Sequence, residues 1–325
     1  MTAATILGAG VMGLAIASEL ASRGIMPRII DPAGGPGPHG CSWYAGGMLA
    51  PHCEAESAEP AVLHHGLKAA EWWQANGADI TYEGTLVLAP SRDRAELDRF
   101  ARLTRSHDTV SAQEIAALEP DLEDRFQRGL LYRTEAHLNP REALRTLRDR
   151  LAAQGIEIEP DGKPSGLIVD ARGLAARDAL PDLRGVRGEM LVLRCPEVTL
   201  TRTIRMLHPR IPLYIVPRGD GLYMIGATML ETGGKHRVTA RSAVELLNAA
   251  YALHPGFAEA EIVELGSDAR PAFPDNLPRL RRRGNTLYAN GLYRHGYLLA
   301  PAVARMAADH IQTGQKPEFM DENHP

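Results

Sequence analysis

Cysteine is scarce in this chain. Its 325 residues include three, Cys41, Cys53 and Cys195. An odd number at wide spacing argues against a disulfide framework and against a zinc site, and it suits a reducing cytoplasm. Long apolar runs are lacking too: no stretch reaches membrane-spanning length. The N-terminus has no basic segment before its apolar residues, so neither a signal peptide nor a membrane anchor is expected. No sign of charge dominates. Thirty-six Lys and Arg stand against 40 Asp and Glu, a net charge of −4, which gives no reason to expect nucleic acid or an anionic membrane as partner. The one basic cluster, Arg279 with Arg281, Arg282 and Arg283 before Gly284-Asn285, reads as a solvated turn. Internal repeats and low-complexity linkers are absent. With 44% hydrophobic and 23% charged residues, the chain is an ordinary globular protein of one or two domains.

What is present begins at the N-terminus. The apolar run Ala4 to Leu7 feeds Gly8-Ala9-Gly10-Val11-Met12-Gly13. A helical stretch from Leu14 to Arg23 follows, and a second apolar run, Arg28 to Ile30, ends at Asp31-Pro32. This is the spacing of a dinucleotide-binding βαβ unit. Gly8 allows a tight turn, Gly10 lets backbone approach a pyrophosphate, and Gly13 lets helix and strand pack closely. Asp31 can accept from a ribose diol. The motif alone does not choose between FAD and NAD.

Further along, residues 61–76 read as one amphipathic helix with Leu63, Leu67, Ala70 and Trp73 on its inner face, and Trp72-Trp73 as core. Ser91 is expected to cap a charged helix. Ser111 to Glu114 reads as a capping box, and Asn139-Pro140 as the start of a helix carrying Leu144, Leu147 and Leu151. Strands are expected at 156–158 and 167–170. The middle is β-rich, with Gly219-Asp220-Gly221 as a hairpin turn. Thr239–Leu253 reads as a helix with Val244, Leu247 and Tyr251 inward. A last helix covers 299–312, before a loose tail from Gly314.

Two more glycine-rich segments bear on chemistry. The first is Cys41-Ser42-Trp43-Tyr44-Ala45-Gly46-Gly47-Met48-Leu49, where small residues let a flat ring lie against backbone. The second is Leu292-Tyr293-Arg294-His295-Gly296-Tyr297-Leu298, with a strand entering and a helix leaving. A helix N-terminus there would stabilise the negative charge of a reduced flavin and do little for nicotinamide, which is neutral when reduced. That favours FAD.

With these segments together, the chain resembles the D-amino-acid oxidase family of flavoproteins, and within it the bacterial glycine-oxidising branch. The likeness rests on the fingerprint, on Ala45 to Leu49, and on Tyr214-Ile215-Val216-Pro217-Arg218 leading to Gly226-Ala227-Thr228-Met229. It rests also on Ala269-Arg270-Pro271 and on Arg294-x-Gly296 ending in Leu298-Leu299-Ala300-Pro301. The resemblance implies a two-domain α/β and α+β fold. A Rossmann-like FAD-binding domain (1–75, 138–185 and 268–315) would be interleaved with an antiparallel-sheet substrate domain (76–137 and 186–267), with 316–325 as a flexible tail. It implies that Arg270 grips a substrate carboxylate and that Tyr214 donates to the same group. Met229 would narrow the pocket, and Arg294 would sit beside flavin and substrate.

The FAD contacts it implies are Gly8, Gly10, Val11, Met12, Gly13, Asp31, Pro32, Cys41, Ser42, Ala45, Gly46, Gly47 and Met48. Leu292 through Leu298 complete them, including Tyr293, Arg294, His295, Gly296 and Tyr297. No metal is expected. The implied reaction is FAD-dependent oxidation of glycine, with activity on sarcosine or small D-amino acids. Oxygen would be the acceptor, and the imine would be available to a thiazole synthase in thiamin formation. A homo-oligomer in the cytoplasm is implied as well. A D-amino-acid dehydrogenase using another acceptor, an NAD-dependent dehydrogenase and a non-catalytic flavin-binding protein are the alternatives. Two departures stand out. Leu292 occupies a position where the family commonly has histidine. Only Glu159 to Gly166 joins two strands between which the family usually carries a small meander over the adenine end of FAD, so that end is expected to be more exposed.

Overall fold

The structure is a computed structural model that describes residues 4–207, 213–234 and 237–321. The N-terminal motif folds as its spacing dictates: strand β1 (Ala4–Leu7), helix α1 (Val11–Ser22) and strand β2 (Arg28–Ile30). They belong to a six-stranded sheet. Its order is Arg279–Arg283, Thr286–Asn290, Leu167–Asp170, β1, β2 and Ile158–Glu159. All pairs are parallel except the first, an antiparallel hairpin at the edge. Parallel strands are covered on both faces, so helices must be apolar where they pack. Helix α1 is apolar nearly all round because it lies between this sheet and the C-terminal helix Gly296–Thr313.

Gly13 permits that packing. A Cβ built on it would stand 1.9 Å from the Gly8 carbonyl oxygen, which is backbone and cannot swing aside. Gly13→Ala is therefore expected to cost about 1–3 kcal/mol of folding stability. Urea unfolding monitored by circular dichroism would read the loss, and an unchanged midpoint would contradict it.

A second, eight-stranded sheet runs Glu261–Ala272, Arg184–Arg194, Leu222–Gly226, Leu213–Pro217, Thr203–Met206, Thr85–Leu88, Arg128–Tyr132 and Asp108–Ser111. It is mixed rather than wholly antiparallel, because Thr203–Met206 and Thr85–Leu88 run parallel. One face packs Leu86, Leu191, Ile204, Ile215 and Ile225 against Leu246 and Leu253 of the helix Ala240–Leu253. The Ser111 capping box and the Asn139 cap both form. The Gly219–Gly221 turn carries Asp220 at φ +51° between its two strands.

Several expectations need correction. Residues 61–76 form two helices, Pro60–Gly66 and Ala69–Ala75, with Leu67 exposed between them. The break turns Val62, Gly66, Ala69, Trp72 and Trp73 inward. Gly66 has no room for a side chain, since its Cβ would meet Leu298 at 2.9 Å. Ser91 opens a 3₁₀ turn without capping, and the charged helix starts at Arg94. In Ala240–Leu253 the inner face is Leu246, Ala249, Ala250 and Leu253, while Val244 and Tyr251 are exposed. Two apolar stripes one residue out of phase were both present, and packing against the sheet chose the other.

The arginine cluster is a strand rather than a solvated turn. Arg281 is buried and paired with Asp182 and Asp321. The tail is docked through residue 321: Phe319 is buried, and its carbonyl accepts from the Leu280 N–H. The last four residues of the expected tail lie outside those described. Residues 160–166 form no strand, so nothing from that segment builds a sheet over the neighbouring strand ends. Among the described residues no helix is long and apolar enough to cross a membrane, and no cluster of acids, histidines or cysteines is set to hold a metal.

Candidate active site

The carboxyl ends of β1, β2 and Leu167–Asp170 open into a cleft of about 780 Å³ that reaches across to the second sheet. Its volume lies in the range of cofactor sites. At the floor, Gly8 turns at φ +98° and donates its N–H to Ile30. The Asp31 carboxylate accepts from the Ala9 N–H at 2.7 Å and the Ala33 N–H at 2.9 Å, which fixes the acid at the rim. Ser42 Oγ accepts from the Val11 N–H at 3.2 Å. Gly10, the residue before helix α1, brings no side-chain cap of its own, and the first turn has no acid. The C-terminal helix, entered at Gly296, is likewise uncapped and acid-free. Two positive helix ends therefore face one cleft, an arrangement that suits anionic groups at both.

The loop Ala45–Gly47 forms a side wall. Gly47 sits at φ +73°, and a Cβ there would lie 2.2 Å from the Leu138 carbonyl. Arg218 braces the loop from behind: it donates to the Gly46 carbonyl at 2.7 Å and to Leu138 at 2.8 Å. Burial pulls its guanidinium down to about 10.

The far wall belongs to the second sheet. Arg270 lies on Glu261–Ala272 opposite Val186, and the neighbouring Gly188 makes room for it: a Cβ there would stand 2.1 Å from its Nη2. Arg270 is half-buried, and among the described residues its only hydrogen bond is a 3.3 Å contact from Nη1 to the Thr228 carbonyl. Burial lowers its guanidinium, partly offset by Tyr293 and Cys41. A half-buried guanidinium with most of its fork unused is suited to receive an anion.

Beside it lies a cluster that sequence reasoning missed. Glu54 is buried on the short helix Pro51–Glu54. Its Oε1 accepts from the Tyr214 hydroxyl at 2.6 Å. Its Oε2 lies 2.9 Å from Arg294 Nε and 2.9 Å from His295 Nε2. Arg205, also buried, donates to the Tyr214 hydroxyl and to the Cys53 carbonyl and pairs with Glu56 at 3.3 Å. Burial raises the Glu54 carboxyl, but Arg294, His295 and Arg205 outweigh it and hold the acid well below its ordinary value. Nothing in the local pattern marks Glu54 or Arg205, because their partners come from four distant segments.

The expected site residues fall into place unevenly. Gly8, Gly10, Val11, Met12, Asp31, Pro32, Cys41, Ser42, Ala45 to Met48, Leu292 to Arg294 and Gly296 to Leu298 all line the cleft, as do Arg270, Tyr214 and Met229. Gly13 does not; it is the packing glycine below. His295 does not either. It is buried behind the wall against Glu54, and burial lowers its imidazole. The Tyr214 hydroxyl gives its one proton to Glu54 and accepts from Arg205, so it does not stand ready to donate to a substrate carboxylate. Met229 receives the Tyr293 hydroxyl on its sulfur at 3.3 Å.

Comparison with known proteins agrees with this geometry. The family model described as FAD dependent oxidoreductase matches residues 4–310. The oxidoreductase ThiO assigned to thiamine biosynthesis in Rhizobium etli is 51% identical, covering 95% of this chain and 96% of the relative. The bifunctional ThiO/ThiG protein of Trichormus variabilis is 28% identical over 94% of this chain, which spans only 52% of that relative. The glycine oxidase of Geobacillus kaustophilus is 28% identical over 94% of this chain and 92% of its own. The crystal structure of that organism's glycine oxidase superposes with a TM-score of 0.82, covering 98% of this chain and 96% of that one at 24% identity. The residues present fit the cofactor that the family is named for. Glycines leave room along the cleft floor, Asp31 at the rim could accept from a ribose diol, and two helix N-termini at the cleft could face anionic groups. The chain belongs to the family of FAD dependent oxidoreductases.

Proposed function

We propose that the chain catalyses oxidative deamination of glycine, with some activity on sarcosine or small D-amino acids. The observation that carries this reading is Arg270: a half-buried guanidinium fork with unused donors, on the wall of the FAD cleft, with Met229 and Tyr293 crowding the space beside it. A fork fixes a carboxylate in one orientation. Crowding leaves little room for a side chain on the α-carbon, which favours glycine.

When bound, FAD supplies the two-electron acceptor. The chain's own residues orient the substrate and exclude water. Arg270 holds the carboxylate. Glu54 keeps Arg294, His295 and Tyr214 in place and balances the Arg294 charge, so among the described residues of the wall Arg270 is the guanidinium left for the substrate carboxylate. Two electrons and two protons leave the substrate's Cα–N unit to give the imine. Water then converts it to glyoxylate and ammonia, and oxygen as terminal acceptor becomes hydrogen peroxide. The relatives fused to ThiG support delivery of the imine to a thiazole synthase; a homo-oligomer in the cytoplasm belongs to the same proposal. The FAD-binding unit is taken as 1–75, 138–185 and 268–315, and the substrate unit as 76–137 and 186–267.

Adding glycine to the yellow protein without oxygen tests the reading. Bleaching of the flavin absorbance is expected with glycine, and weaker bleaching with sarcosine or D-alanine. A spectrum unmoved by any of these overturns it.

A further inference from the structure

One cation in the cleft has no part in the substrate wall. Arg172 follows the strand Leu167–Asp170 and lines the cleft next to Gly8. A Cβ built on Gly8 would lie 2.8 Å from the Ala171 carbonyl oxygen and 3.1 Å from Arg172 Cα. Its guanidinium is engaged along its edge. Nε and Nη2 donate to Asp170 at 2.9 and 2.7 Å, and Nη1 and Nη2 each donate to Asp178 at 3.0 Å. Four of its five N–H groups are thereby used. Two carboxylates against one guanidinium also leave a net negative charge, which repels a phosphate. The part still open to a ligand is the flat face of a side chain that is 31% exposed.

The sheet order sets what lies across the cleft from Arg172. Strand β1 lies between Leu167–Asp170 and β2. Arg172 and the Asp31-Pro32 turn thus stand about 10 Å apart, two strand spacings, across the glycine floor. A slot of that width takes one planar ring. Asp31 marks the ribose end of the cofactor, and 160–166 contributes no sheet there.

We propose that Arg172 is the platform for the adenine ring of FAD, lying face-on to the base while Asp170 and Asp178 hold its plane. The proposal rests on the FAD site described above. A guanidinium has a flat, weakly hydrated face that stacks on aromatic rings, which an ammonium lacks. Arg172→Lys keeps the charge beside Asp170 and Asp178 and loses the plane; Arg172→Ala loses both.

The test uses holoenzyme. FAD release on dilution, followed by flavin fluorescence, is expected to quicken about 3- to 30-fold in both variants. Enzyme loaded with 1,N6-etheno-FAD gives the second readout. Acrylamide should quench the etheno-adenine emission more strongly in both variants than in the parent. Unchanged acrylamide access in both overturns the proposal. If release quickens and the melting temperature falls while access stays the same, Arg172 is a structural ion pair and the proposal also fails.

Discussion

Arg270→Ala is expected to lower kcat/KM for glycine by two to three orders of magnitude. Truncating one partner of a buried, hydrogen-bonded charge pair costs about 3–4 kcal/mol, and each 1.36 kcal/mol is a factor of ten. Most of the loss should fall on KM, because the carboxylate is held alike in ground and transition states. A smaller part should fall on kcat, because a substrate held at one point no longer presents its α-carbon in one orientation. Arg270→Lys should recover the charge but not the fork, and so regain only part of the activity. The flavin spectrum should stay that of the parent, since Arg270 lies on the second sheet, away from the glycine floor. Steady-state kinetics over a range of glycine concentrations decide the matter. Unchanged turnover and affinity in Arg270→Ala would remove the basis of the functional assignment.

The second large effect is on stability. Glu54→Ala removes the carboxylate on which Arg294, His295 and the Tyr214 hydroxyl converge, and leaves the Arg294 and Arg205 guanidiniums near one another without it. Breaking a buried pair in this way costs about 3–5 kcal/mol. Glu54→Gln keeps the shape and part of the hydrogen bonding and should cost less. The pH dependence carries a sign. The Glu54 carboxyl is held below its ordinary 4.5 in the fold. Below 4.5 the unfolded chain takes up the proton first, so stability falls with pH. The contribution is whole above about pH 4.5 and is lost as pH drops toward the depressed native value. Denaturant midpoints at pH 7 and across the acid range should show the parent losing stability there, and Glu54→Gln losing less. Parallel curves for the two proteins would rule out this role for Glu54.

The elements that could be read from sequence are those whose signal is local. The turn at Gly8, the Ser111 box and the hairpin at Gly219–Gly221 each depend on a few adjacent residues, and each formed as read. Helix phase was legible only where one stripe was apolar. Asn139 leads into a helix with a single stripe, whereas residues 240–253 carry two and the sheet selected between them. The Arg279–Arg283 strand was hidden because its charges are neutralised by Asp182 and Asp321, about 100 and 40 positions away. Most of the cofactor wall was visible through its glycines. The Glu54 and Arg205 cluster was not, since a buried ion network takes members singly from separate strands and turns. His295 shows the converse error. It sits within a motif yet does not line the cleft, because its imidazole is buried against Glu54, a partner the motif does not reveal.

The two helices that meet at the cleft start at Val11 and Gly296, near opposite ends of the chain. A ribosome therefore makes one of these two helix ends well before the other. At about 5–20 residues per second, some 15 to 60 seconds of synthesis separate them. During that interval the glycine floor has neither the helix Gly296–Thr313 against α1 nor the strand Thr286–Asn290 beside Leu167–Asp170. The cleft is thus complete only after the nascent chain has released the helix Gly296–Thr313. Without a cofactor between them, the two segments must hold together unaided.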